Sequence, residues 1–556
     1  MIYRIEEEKP INEESELLEF AKDDKILIHV LNYLDWQIKR DYPTKLSCFF
    51  TGVSAFLKEP LNLFLKGPSS IGKSYNATRS LRPFPSHAIW KLGGLSPTAL
   101  VHLHGVLMSK DGEEIDLDEK PTRRKIKLQL KEELGRDPSK EEIERKYHEE
   151  LKLWREKLRE SYYLVDLTGK ILLFLEPPHP DTFHRLYPIL SHDAYRISYR
   201  FTEKTKRGGF KTTHVVIQGW PATIFLSTDK KYTEELSTRS FTATPEESAE
   251  KYRAANRLTT RKAALPWQYA KNEFEEKLRL YLARMEIVMA NKDVLVPFLG
   301  LEEAFPAELP RDMRDYQHFI QFVKAITALH YLNRPYLEMD GKGYIIASAQ
   351  DVIVAMKLYY HIFETTRTGL DKQLLDFYHK IIKTKELWYA KELTAEYNRR
   401  FRPPRSEKTI KRYLQVLSDV GYVNVRKDDD DRRLNIYEPL VKEEEKGSIL
   451  PISEMSTFLT EILEKGLEEW RKEMDTQTGN IPIFPNYRER ENPLSWEQLK
   501  QKILSVNWDV VSIFDFEEES VKAENKLEKM DNSEMGKIEP NSNSKVIGLW
   551  KWASHE

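Results

Sequence analysis

The chain is almost without cysteine: of its 556 residues only Cys48 carries a thiol. One thiol can neither close an internal disulfide nor build a multi-thiolate zinc site, which excludes the disulfide-stapled secreted scaffolds and the zinc ribbons. The chain also lacks an excess charge of either sign. Its 87 Lys and Arg face 89 Asp and Glu, a formal net charge of −2, so any contact with nucleic acid has to come from local basic patches. No apolar segment approaches the ~20 residues needed to cross a bilayer. The opening "MIYRIEEEKP" is acidic where a secretory signal needs a basic and then an apolar run. These absences point to a cytoplasmic protein with no membrane partner.

What is present is a hydrophobic content of 40% beside a charged content of 32%, enough for about two to four domains with ordinary cores and surfaces laced with ion pairs. Ile26, Val30, Leu31, Leu34 and Ile38 recur three and four residues apart, which predicts an amphipathic helix over 24–40. A short apolar run at 61–65 ending at Gly67 reads as a buried strand, and "GKSYNATRSL" after it reads as a helix. Between 120 and 162 the text becomes highly charged and breaks at "GRDPS", with Ser139 placed to cap a second helix. This is a helical-hairpin insertion, either a solvated arm or a partner- or DNA-binding one.

Apolar strands resume at "KILLFLE" (170–176) and "HVVIQGWPATIFLST" (214–228), so strands alternate with helices to about residue 245 and predict a mostly parallel sheet. Beyond it the periodicity is helical as far as "QDVIVAMKLYYHIFETTR". After Leu440 the pattern loosens. Residues 522–545 are polar and low in aromatics, read as disordered, while 491–516 form an apolar island that either docks a partner or packs within the chain.

The most specific string is Gly67-Pro68-Ser69-Ser70-Ile71-Gly72-Lys73-Ser74, which fits G-x-x-x-x-G-K-[ST] at a strand-to-helix turn. Chance alone supplies such a string in roughly two chains in a hundred of this length, and the flanking strand and helix make an accident rarer. The pattern suits a triphosphate because the glycines let backbone N–H groups approach phosphate oxygens while the helix start, through Tyr75, presents its positive end. Lys73 then reaches the β- and γ-phosphates and the Ser74 hydroxyl ligates Mg2+. Such a site needs an acid at a neighbouring strand end, and Glu176 closes "ILLFLE", either as metal ligand or as general base. Ser227 and Thr228 end the next strand, within reach of the γ-phosphate or the attacking water. Arg239, in "ELSTRSF", is placed to stabilise developing phosphate charge in a neighbouring subunit, or else to pair with Glu235.

In this order these segments resemble the AAA+ ATPases, and more narrowly the helicase-like ATPases of phages, plasmids and integrated elements, of the primase-helicase C-terminal type. The segments "IWKLGGLSPTALVH" (89–102) and the E-x-x-TR pattern from Glu235 to Arg239 are similar to theirs, and the resemblance covers about 45–440. Many such enzymes carry two adjacent acids, whereas here Leu175 precedes Glu176. The resemblance implies ATP-dependent work on DNA by a homo-oligomeric ring, usually a hexamer, during replication of a mobile element. Neither a zinc ribbon nor an acidic catalytic cluster of the priming kind precedes the ATPase, so priming is not expected.

Two places offer contacts to DNA. "YRISYRFTEKTKRGGFKTTHVVIQG" reads as a hairpin turning at Gly208-Gly209, with Lys206, Arg207, Phe210 and Lys211 at its tip, able to grip phosphates and stack on a base. In the ring helicases that the chain looks like, a hairpin in this interval projects into the channel onto single-stranded DNA. The second place is a run of three short helices and two strands over 371–440, the pattern of a winged helix-turn-helix. Its third helix has an inward stripe of Ile410, Tyr413, Leu414 and Leu417, and another face of Lys408, Lys411, Arg412 and Gln415 preceded by Arg405. Ser406 is placed to cap it. The wing carries acids at 428–431, which repel phosphate, so duplex contact and a packing role both stand.

The expected fold is therefore an α/β P-loop core of AAA+ type with a parallel sheet, followed by an all-α region and a winged helix. The expected division is an N-terminal helical segment at 1–45, the core at 46–260 with its insertion at about 119–162, a helical domain at 261–370, the winged helix at 371–440 and a partly disordered tail at 441–556. The expected function is an ATP-hydrolysing ring motor on DNA using ATP and Mg2+. The alternative is an ATP-switched, DNA-binding replication initiator or regulator without unwinding activity.

Overall fold

The computed structural model describes residues 11–21, 25–93, 105–176, 186–204, 210–227, 239–269, 273–307, 311–368, 370–402, 404–428, 431–440, 458–479 and 481–514. The apolar run before Gly67 forms β1 (Asn62–Lys66), buried at every position, as a strand covered on both faces has to be. After it come β2 (Ile89–Leu92), β3 (Val106–Met108), β4 (Tyr162–Asp166), β5 (Ile171–Phe174), β6 (Arg196–Lys204), β7 (Phe210–Gln218), β8 (Ala222–Ser227) and β9 (Phe241–Ala243). Five of these make one wholly parallel sheet in the order β2-β5-β8-β1-β9.

Strand alternation sorts the side chains of this main sheet to two faces. Leu63, Leu65, Leu173, Ile224 and Leu226 face a core shared with the helices Lys25–Gln37 and Tyr42–Ser54. The first of these helices buries Ile26, Val30, Leu31 and Leu34, the stripe read from the sequence. Phe64, Phe225 and Phe174 face the other way, their rings stacked with centroids 6.1 and 4.9 Å apart. The outer edge of β9 is closed by the helix Ala349–Thr368. Thr366 Oγ1 accepts from the Thr242 N–H at 2.9 Å and Thr365 Oγ1 donates to its carbonyl at 2.8 Å, so this edge offers no free template for pairing.

The run 214–228 is not a single strand. It breaks at Gly219-Trp220-Pro221 into β7 and β8, which lie in different sheets. β3, β4, β7 and β6 form a second, mixed sheet in the order β3-β4-β7-β6. Two of its strands, β4 and β7, run on into β5 and β8 across paired bends. The Leu167 N–H donates to the Gln218 carbonyl at 2.8 Å and the Ala222 N–H to the Lys170 carbonyl at 2.9 Å. Gly219 has φ +87°, and a Cβ there would lie 2.3 Å from Thr168 Oγ1, so only glycine fits this bend. The second sheet thus extends from the edge of the main sheet at which β5 and β8 begin.

The insertion is a pair of helices, Arg123–Leu134 and Lys140–Arg159, joined through Gly135 at φ +63° and a capping box of Ser139 with Glu142. Leu151 is the one buried residue of the longer helix, and ion pairs such as Lys146–Glu133 at 2.7 Å cross the pair. The insertion's exposed, ion-paired surface fits either of the two sequence readings, a solvated arm or a partner- or DNA-binding one.

The region expected to be all-α holds strands. β10 (Lys292–Leu295), β11 (Tyr336–Met339) and β12 (Lys342–Ile346) pair in one sheet. β11 and β12 form a hairpin turning on Asp340 and Gly341, at φ +53° and +72°. The flanking helices are long enough that their period dominates the sequence pattern, but Asp-Gly between two apolar runs is a strong two-residue hairpin signal. Beyond lies a unit with its own apolar core. It contains the helices Lys372–Lys380, Ala390–Arg400 and Glu407–Asp419 and an antiparallel sheet of β13 (Trp388–Tyr389), β14 (Val423–Lys427) and β15 (Asn435–Pro439). Its third helix buries Ile410, Tyr413, Leu414 and Leu417, and the Ser406 side chain accepts from the Thr409 N–H.

After Leu440, residues 458–514 belong to the body of the protein. β16 (Ile483–Phe484) pairs with β11, and Phe458, Leu467, Leu499, Ile503, Val511 and Phe514 are buried in the core shared with the main sheet. The island at 491–516 therefore packs within the chain as far as Phe514. The stretch 522–545, read as disordered, lies outside the described residues.

Candidate functional site

In a parallel sheet every strand ends at the same edge, and ligands of open α/β sheets sit at that carboxyl edge. Here β1 is followed by Gly67, β5 by Leu175 and Glu176, and β9 by Thr244. The loop after β1 turns through Gly67 at φ +140°, Ser70 at +66° and Gly72 at +100°. It enters the helix Lys73–Ser80, for which Gly72 is the N-cap. Ser69, Ser70, Ser74 and Tyr75 are exposed, while Gly67, Ile71 and Lys73 are buried and Pro68 and Gly72 are intermediate. The Lys73 ammonium folds over the loop, donating to the Gly67 and Pro68 carbonyls at 2.7 and 2.6 Å. Burial pulls its pKa below the usual lysine range, against the field of the Asp371 carboxylate.

Sequence reasoning missed the polar groups around this loop. Lys66, the last residue of β1, is buried and its ammonium lies 5.1 Å from the Phe64 ring centroid. Burial, joined by the Arg311 guanidinium and opposed by Asp371, pushes its pKa down to about 7. Behind the loop, Lys251 donates to the Ile71 carbonyl at 2.8 Å and the Glu246 carbonyl at 2.9 Å, and it pairs with Asp41 at 2.7 Å. Asn76 donates to Asp41 at 2.8 Å and to the Gly72 carbonyl at 3.0 Å. Arg40 and Glu246 form a second pair at 2.7 Å. These partners lie up to 210 residues apart in the chain (251 − 41 = 210), and no spacing rule connects them.

The strand order places the acid at this edge. β5 pairs with β8 as far as Phe174–Phe225 and β8 with β1 as far as Ser227–Lys66, and Glu176 follows two residues after β5 stops at Phe174. Two strand spacings separate Glu176 from β1, about 10 Å. Glu176 is exposed and Ser227 is buried; Thr228 and Glu235 lie outside the described residues. Arg239 is not brought to this edge. It precedes β9 and so lies at the opposite edge of the sheet, bound to Asp193 at 2.8 Å with its guanidinium 4.6 Å from the Tyr187 ring centroid. A five-residue strand separates the two edges of the sheet, roughly 15 Å. The sequence alternative, a pair with Glu235, falls outside the described residues.

Of the basic hairpin tip, Lys206 and Arg207 lie outside the described residues. Phe210 and Lys211 open β7, paired with Lys204 and Glu203 of β6. In the three-helix unit Lys408, Lys411 and Arg412 are exposed on the third helix, with Lys411 2.7 Å from Glu407. Arg405 is turned inward. It is half-buried with Nε enclosed, close enough to Tyr397 and Glu247 for its charge to act on both. Of the acids at 428–431, Asp428 accepts from the Tyr389 hydroxyl and Asp431 pairs with Arg433 at 3.0 Å, while the other two lie outside the described residues.

No family model matches this chain, and no curated protein matches it by sequence. Among the described residues there is no group of three or more His, Cys, Asp or Glu that could hold a metal by itself, and no helix long and apolar enough to cross a membrane. At the carboxyl edge the side chains that could meet a magnesium–triphosphate are the Ser74 hydroxyl and the Glu176 carboxylate, which would leave the remaining ligands of the ion to phosphate and water.

Proposed function

We propose that this chain is an ATP-hydrolysing motor that assembles as a ring, a hexamer, on DNA and translocates along it or unwinds it, as a replicative helicase of a mobile element in the cytoplasm. The observation that carries the reading is a meeting at one sheet edge. A glycine loop runs into a helix start bearing Lys73 and Ser74, and Glu176 follows the end of β5 at the same sheet edge, two strands away in the order β5-β8-β1.

In this reading the N–H groups of residues 67–74 and the Lys73 ammonium hold the phosphates. ATP displaces that ammonium from the loop carbonyls it now covers. The Ser74 hydroxyl and the Glu176 carboxylate would hold Mg2+, which would supply charge neutralisation at the transferring phosphoryl group. Glu176 orients the attacking water, a task for which Thr228 is the second candidate by sequence. Arg239, at the far edge, is too distant for its own loop and suits the loop of an adjacent subunit. The hairpin with Lys206, Arg207, Phe210 and Lys211 holds single-stranded DNA. The three-helix unit, read as a winged helix, meets duplex with Lys408, Lys411 and Arg412, and its Arg405 faces the ATPase body instead.

The test is ATP turnover by the full chain with and without single-stranded DNA. The motor reading expects stimulation that Lys73→Ala abolishes. Slow turnover indifferent to single strands contradicts it and favours the ATP-switched initiator.

A further inference from the structure

Behind the glycine loop three local rules of chain geometry are broken together. Arg40 and Asp41 are consecutive non-glycine residues at φ +59° and +55°, a conformation that side chains disfavour. Asp41 is the N-cap residue of the helix Tyr42–Ser54, yet its side chain caps nothing there. One carboxylate oxygen goes to Lys251 and Asn76, and the other accepts from the Glu246 N–H at 2.6 Å. Lys251 in turn lies in the first turn of the helix Ala249–Ala264, where the helix dipole repels a cation, and it is buried there. Each departure is unfavourable on its own, and each is explained by the same neighbour. Where local and global preferences conflict in this way, the conflict marks a strained or functional site.

The neighbour is the peptide pair at Ile71 and Gly72. In a trans peptide the carbonyl of one residue and the N–H of the next point in opposite directions. Lys251 draws the Ile71 carbonyl inward at 2.8 Å, which turns the Gly72 N–H outward; the Gly72 carbonyl is held by the helix itself, accepting from the Asn76 N–H at 2.9 Å with the Asn76 side chain adding a second bond at 3.0 Å.

We propose that Lys251, held by Asp41, is a positioning residue for phosphate: it fixes the orientation of the loop amides and places a buried positive charge behind the anion. This rests on the reading of the loop as a triphosphate site. Lys251 touches no ligand in this arrangement and acts through the peptide units.

The experiment uses the full chain and Mg-ATP. Lys251→Met alone leaves Asp41 buried without its cation and risks misfolding, so the decisive variant is Asp41→Asn/Lys251→Met, which removes both charges together. Binding is measured by titration calorimetry, with amide hydrogen exchange over 69–74 and a thermal melt alongside. The double variant is expected to bind Mg-ATP about 10- to 100-fold more weakly, the scale of one charge-assisted hydrogen bond. Its melting midpoint should stay near the native value, with faster exchange confined to the loop. Native affinity in the double variant overturns the proposal. So does weakened affinity accompanied by a lowered melt and faster exchange throughout the main sheet, which makes the pair merely structural. If the native chain fails to bind Mg-ATP and matches Lys73→Ala, the triphosphate reading itself fails, and the proposal with it.

Discussion

Lys66 ends the central strand beside the glycine loop with 6% of its surface exposed. Burial, reinforced by Arg311 and opposed by Asp371, takes its pKa from 10.5 to about 7. Between pH 7 and 10.5 the unfolded chain therefore binds more protons than the folded one, and stability rises with pH across that window. Below pH 7 both states are charged and the folded state bears the full penalty. A drop of that size corresponds to roughly 3–6 kcal/mol. Lys66→Met keeps a similar stem without the charge. The variant should be more stable than the native chain by about that amount at pH 6, by less at pH 8, and by little near pH 10.5. Lys45, lowered to about 8 by burial, has the same sign but cancels in the comparison. Equilibrium urea unfolding of both chains at pH 6, 8 and 10 reads the difference. A gap that does not change with pH refutes the reasoning. An anion at Gly67 favours the charged lysine, so Mg-ATP affinity should also fall from pH 7 to 9 in the native chain and fall less in the variant.

Two further substitutions test the frame around the site. Gly219→Ala forces a Cβ against Thr168 at a positive φ and should destabilise by about 2–5 kcal/mol; a melting midpoint unchanged from native contradicts the bend. Arg239→Ala should leave Mg-ATP affinity within about threefold while turnover falls by about 1,000-fold or more. Mixing Arg239→Ala with Lys73→Ala chains should restore part of that turnover, because an intact loop then meets an intact arginine across an interface. No restoration would count against action between subunits.

The sequence was most legible where one element carries its own signal. The stripe of the Glu407–Asp419 helix, its Ser406 cap and the Ser139 capping box follow from residues three or four apart, and the structure has them. The glycine loop is equally local. The break at Gly219 was written in Gly-Trp-Pro, but apolar residues on both sides masked it, since a strand leaving one sheet and a strand entering another have the same composition. The Asp340–Gly341 hairpin was hidden by the helical period of its long neighbours. What no local rule could reach is the assembly of Asp41, Asn76 and Lys251, and the inward turn of Arg405, because both depend on which distant segments the fold brings together. The folding of 458–514 was obscured for the same reason. Its apolar residues are sparse along the chain and bury themselves against helices more than a hundred residues upstream.

The account stands on the loop from Gly67 to Ser74 holding a triphosphate. The direct measurement is equilibrium binding of Mg-ATP to the native chain and to Lys73→Ala at pH 7. Removing the buried ammonium should weaken binding by about 10-fold or more, the scale of a charge-assisted contact, while the melting midpoint without nucleotide stays close to native. Equal affinity in the two chains, or no measurable binding by either, contradicts it.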